Sequence, residues 1–132
     1  MRLSGTCLAA ARSVGAMALF LAMPLVAHHS YAMFDKSREV SLDGTVRSFQ
    51  WTNPHIWIDI VVIDKGSGRP VNWSIEGKGP VQLVADGWRR DSIKPGDKVS
   101  LVINPLKKGT NGGSLVKVLV NGKAISAEGK GR

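Results

Sequence analysis

The segment His55-Ile-Trp-Ile-Asp-Ile-Val-Val-Ile63 constrains the fold more than any other stretch of the chain. As a strand it sets Ile56, Ile58, Ile60 and Val62 on one face and His55, Trp57, Asp59, Val61 and Ile63 on the other. An all-aliphatic face of this kind must be covered, so the fold needs a sheet that curves or stacks over it.

The rest of the chain after Arg38 has the same character, short strand-like runs between turn residues. Val40, Leu42 and Val46 share one parity while Phe49 and Trp51 take the other, which predicts a bent first strand with a bulge beside Gly44. Asp64 to Arg69 reads as a hairpin loop. It leads to a third strand with Val71, Trp73 and Ile75 inward and Asn72, Ser74 and Glu76 outward. Pro80 to Asp86 is the one convincing helix, with proline in its first turn and Gly87 past its end. Lys94-Pro-Gly-Asp97 is a turn into a strand over 98–104, and the loop 105–113 precedes another over 114–120. Asn121-Gly122 then turns the chain into a short last strand at 123–125.

Three strands, a short helix and two or three further strands are the element order of a small five- to six-stranded OB-like β-barrel, with the helix between the third and fourth strands. A two-layer sandwich is the competing arrangement. Pairing of the first and last strands would decide for closure. The expected division is a signal segment at 1–27, an N-terminal extension at 28–37, the barrel at 38–126 and a polar tail at 127–132.

The N-terminal reading rests on order: Arg2 and Arg12, then an apolar stretch from Val14 to Met23, then Pro24 and a small residue at Ala27, which is the layout of a cleaved secretory signal. The uncharged stretch from Ser13 to Ala27 would span roughly 22 Å as a helix, short of a hydrocarbon core of about 30 Å. The mature protein is therefore expected to be periplasmic or secreted, with no transmembrane span. Cleavage removes two of the charges behind the net +8 and the only cysteine. A cut after Ala32 is the competitor. Basicity alone would suggest nucleic acid as partner. Export argues instead for an anionic envelope polymer, a lipid head group or an acidic protein of the envelope.

All three histidines of the chain fall in two short motifs, His28-His29-Ser30-Tyr31 and Trp51-Thr-Asn-Pro-His-Ile-Trp57. With these, with Trp73 to Glu76-Gly77, and with Gly87-Trp88 through Lys94-Pro-Gly-Asp97 to Gly112-Gly113-Ser114, the chain resembles domain of unknown function 6152, a family of small exported bacterial proteins. The resemblance spans nearly all of the mature chain. It implies an exported β-rich protein and leaves the activity to the residues themselves.

A cut after Ala27 would give His28 a free α-amino group, and an N-terminal histidine can chelate Cu(II) through that amine and its Nδ1. A second imidazole completes a tetragonal nitrogen set suited to Cu(II), with zinc the second choice. His55, placed by the Asn53-Pro54 turn, is the expected second imidazole, with His29 the alternative. Asp59 shares a face with His55 but lies about 13 Å along the strand, too far for one ion to take both. Met33, the single mature methionine, cannot make a sulfur-rich Cu(I) site. The bland reading is that His28 and His29 are a mobile end and His55 caps a strand.

A second class of function is a metal-free binding module. Trp51, Trp73 and Trp88 are expected in or near the core. Trp57, opposite the isoleucine stripe, is either an exposed platform or covered by Tyr31-Ala-Met-Phe34. Together with Arg89, Arg90, Lys107 and Lys108 it could hold an anionic ligand, since OB-like barrels bind oligomeric ligands near the loop before the fifth strand. Ser30 and Ser114 lack a nucleophile elbow, no phosphate-cradling loop occurs, and Glu76 has no evident carboxylate partner. The sequence thus reads as an exported binding or accessory protein and not as an enzyme.

Overall fold

The computed structural model describes residues 31–125; His28, His29, the expected signal segment and the expected polar tail lie outside them. A single 3₁₀ turn at Tyr31–Met33 leads into β1 (Val40–Gln50), β2 (Trp57–Ile63), β3 (Pro70–Glu76), α1 (Pro80–Ala85), β4 (Lys98–Pro105), β5 (Gly112–Val120) and β6 (Lys123–Ala124). The strands hydrogen-bond in the order β3-β2-β1-β4-β5-β6, and β3 also pairs with β5. That extra contact closes the first five strands into a barrel. It is a parallel pairing of Ser74, Ile75 and Glu76 with Gly112, Gly113 and Ser114. The architecture is the expected OB-like barrel, closed through β3 and β5 and not through the first and last strands.

β1 is long enough to serve two neighbours: Val40 to Thr45 pair with β4, and Thr45 to Gln50 pair with β2. Its bulge lies between Val46 and Ser48, so Arg47 is the extra residue and the parity switch occurs there. Gly44 has another use. A Cβ at that position would stand 2.8 Å from the carbonyl oxygen of Val61, so only glycine lets β1 and β2 approach at the point where they begin to separate.

Ile56, Ile58, Ile60, Ile75 and Ile103 are fully buried and, with Leu42, Val46, Val99 and Leu101, make one core. Each contributes on the order of 1.5–3 kcal/mol by leaving water. α1 adds Leu83, and Trp88 just after it joins the same cluster, with Trp51 and Trp73 partly buried against it. The helix keeps its start through Gln82, whose Oε1 accepts the Gly79 N–H at 3.1 Å. It ends at Gly87, where φ is 89° and the Trp88 N–H reaches back to Leu83. None of the described helices is long and apolar enough to cross a membrane.

Candidate functional site on the outer face of the barrel

The loop between β1 and β2 is pinned at one residue, Ile56. Its buried side chain enters the core, its N–H donates to Lys78 O and its carbonyl accepts the Gly77 N–H. His55, immediately before it, therefore turns outward, and the Thr52 hydroxyl donates to its carbonyl at 2.9 Å. α1 presses close on the same loop. A Cβ on Gly79 would lie 2.5 Å from Pro54 O, and the Asn53-Pro54 peptide is cis.

In register, Trp57 faces Glu76 across the β2–β3 ladder. That brings the Glu76 carboxylate to His55, with Oε1 2.5 Å from Nδ1. Glu76 is only 6% exposed, and a carboxylate so buried needs a partner that neutralises or hydrogen-bonds it. The imidazole is such a partner. The same bond orients the ring and makes Nε2 the nitrogen through which His55 would bind a metal.

Two residue pairs along the ladder lies a separate polar cluster. Asp59 lies opposite Ser48 on β1 and Ser74 on β3. The two hydroxyls donate to its Oδ2 and Oδ1, each at 2.7 Å, and the Gln50 amide approaches Oδ2 at 3.5 Å. Burial pushes the Asp59 carboxyl up, but the hydrogen bonds from Ser48, Ser74 and Gln50 and the charge of Arg47 outweigh it and hold the group below the usual range. His55 and Asp59 thus belong to distinct clusters, as their spacing predicts.

Trp57 stands between the two clusters and keeps 36% of its surface exposed. The segment offered as its possible cover, Tyr31 to Phe34, is tied to the end of β4 and the loop after it: Phe34 bridges to Leu106, Lys107 N–H donates to Met33 O and Asp35 N–H to Pro105 O. Arg89 and Arg90 are exposed on the α1–β4 connection, and Lys107 and Lys108 on the β4–β5 loop. Lys107 acts electrostatically on Asp35, whereas Arg47 acts on Asp59. Among the described residues no group of three or more His, Cys, Asp or Glu side chains is placed to hold a metal. An open groove of about 940 Å³ lies elsewhere on the barrel, over Leu42, Val71, Trp73, Val99 and Lys98, and His55, Trp57, Arg89, Arg90, Lys107 and Lys108 do not line it.

The residues that sequence reasoning missed are Glu76 as the partner of His55, and Ser48 and Ser74 as the supports of Asp59. Alternation had placed Glu76 and Ser74 outward. Only the β1–β2–β3 register tells which outward residues meet.

Among solved structures, the chain is similar to the mitochondrial single-stranded DNA binding protein Rim1 of S. cerevisiae, at 12% identity and a TM-score of 0.49 over 66% of this chain and 96% of that one. No curated protein matches it. The profile of a family of unknown function, DUF6152, matches residues 17–116. With most of the barrel inside that match, the chain belongs to the DUF6152 family.

Proposed function

We propose that this chain is an exported binding protein that holds Cu(II) through His55 and the histidines of a processed N-terminus, His28 and His29. The observation that carries the reading is the His55–Glu76 pair. Metal-ligating histidines commonly donate their other ring N–H to a carboxylate, which fixes the tautomer and raises the basicity of the ligating nitrogen. A half-buried imidazole held this way is prepared to ligate.

The remaining ligands must come from outside the described residues. Reach supports His28 and His29. Phe34 bridges Leu106, Leu106 bonds to Gly112, and Gly112 pairs with Ser74, which puts Phe34 three strand spacings, about 14 Å, from β3 just before Glu76. A fully extended chain from His28 to the 3₁₀ turn would reach at most about 16 Å from Phe34, and an imidazole adds several ångströms more. The amine and imidazole of His28 with the imidazole of His55, or of His29 in its place, favour Cu(II), with zinc second.

The metal-free reading, an anionic ligand on Trp57, Arg89, Arg90, Lys107 and Lys108, predicts binding that weakens with salt and disappears in Lys107→Glu/Lys108→Glu. The copper reading is tested by titrating Cu(II) into protein whose mature N-terminus has been determined. One equivalent should bind, and His55→Ala should weaken it by at least about tenfold, in the range seen when ligand environments are altered. Equal affinity in wild type and His55→Ala, or a mature chain starting at Met33, contradicts it.

A further inference from the structure

Trp57 sits at the centre of an ordered polar face whose chemistry selects a ligand class. The register lays out two rows across the outer surface: Gln50, Trp57, Glu76 and Ser114, then Ser48, Asp59, Ser74 and Gly112. The indole is the exposed aromatic of this face. The groups around it are small hydroxyls, one amide, the Asp59 carboxylate and the His55–Glu76 pair.

We propose that this face binds a neutral saccharide, one sugar ring stacking on Trp57 while its hydroxyls donate to the Asp59 cluster. The donor and acceptor inventory supports this class. Ser48 and Ser74 spend their hydroxyl protons on Asp59, so each oxygen has only acceptor capacity left to offer. An ionised carboxylate has about four acceptor sites, and three donors reach Asp59 here, so about one is left over. A surface so rich in acceptors suits a ligand rich in O–H donors. Phosphates and sulfates are acceptors only, so they have no proton to give the Asp59 cluster and would meet its charge. An apolar partner would bury the Asp59 charge without a hydrogen bond to replace water. A sugar offers both the C–H face that an indole takes and the hydroxyls that the rows accept. OB barrels use this part of their surface for oligonucleotides and oligosaccharides alike, and the acceptor cluster around Asp59 favours the second.

The site adjoins His55 but needs no metal, so it is tested with a chelator present. Cellohexaose, chitohexaose and maltohexaose are titrated into the full-chain product as cells process it, with binding read by calorimetry and tryptophan fluorescence, and with heparin and oligo-dT as anionic comparators. At least one neutral hexasaccharide should bind, with an affinity that changes less than about twofold between low and high salt. Trp57→Ala should weaken it by about tenfold or more, the loss of one good stacking contact. Asp59→Asn, which replaces one acceptor oxygen with a donor, should weaken it too. Circular dichroism confirms that each variant folds. The proposal is overturned if no neutral hexasaccharide binds, if binding ignores Trp57→Ala, or if oligo-dT is the ligand that Trp57→Ala loses.

Discussion

Removing the His55 imidazole should expose how much the barrel depends on the His55–Glu76 pair. Glu76 is 6% exposed, and the His55 side chain is 21% exposed. Stripping a partner from a fully buried ion pair costs about 3–5 kcal/mol, and from a buried hydrogen-bonding group about 1–3 kcal/mol. Water can reach this pair from the His55 side, so His55→Ala should cost about 2 kcal/mol. For a domain of this size that lowers Tm by about 8–16 °C. Glu76→Gln keeps the shape and a polar partner for Nδ1 and should cost only about 1 kcal/mol. The informative variant is the double one. With glutamine at 76 no charge is left behind when the imidazole goes, so His55→Ala/Glu76→Gln should be less destabilised than the two single losses added together, by about 1–2 kcal/mol. Urea unfolding followed by tryptophan fluorescence, run on all four proteins with metal removed, gives the cycle. A coupling below about 0.5 kcal/mol, the ordinary error of additivity, would refute the view that Glu76 is buried there because His55 holds it.

Three further outcomes follow from the geometry. Asp59 has a depressed pKa in the folded chain, so its stabilising effect is fully present above the unfolded value of 3.8 and is lost as pH falls through the lower folded value. Asp59→Asn should therefore be less stable than wild type near neutrality and converge with it below that window; a constant difference down to strong acid would contradict this. Ile58→Ala, at a fully buried site, should cost about 2–5 kcal/mol in chemical denaturation, and a loss under about 1 kcal/mol would show that the site lies outside the core. Gly79→Ala puts a Cβ 2.5 Å from Pro54 O, so α1 must move off the β1–β2 loop. Thermal scans should show a loss of about 1–3 kcal/mol, and weaker Cu(II) binding should accompany it because the same loop carries His55.

The local features of the fold were written in the sequence because each has a local cause. Alternation through His55 to Ile63 gave β2, Pro80 and Gly87 bracketed α1, and Asn121-Gly122 formed the turn, with φ of 49° and 80°. The bulge was misplaced for an instructive reason. Glycine suggests a bulge, but Gly44 serves a close approach to Val61 and the extra residue is Arg47, whose side chain points outward with nothing unusual to mark it. Closure through β3 and β5 left no trace either, since a parallel pairing of segments nearly forty residues apart depends on how β1 bends between β2 and β4. The candidate site divides the same way. His55 was legible from its motif, and Trp57 from its parity. Glu76 was read as an outward residue without a role, because its partnership with His55 exists only once Trp57 and Glu76 are in register.

The most direct test of the copper reading is the electron paramagnetic resonance spectrum of exported, N-terminally verified protein carrying one equivalent of Cu(II), recorded for wild type and His55→Ala. The predicted result is a tetragonal spectrum with nitrogen couplings in the wild type and the loss of one imidazole nitrogen in the variant. Identical spectra from the two proteins would contradict it.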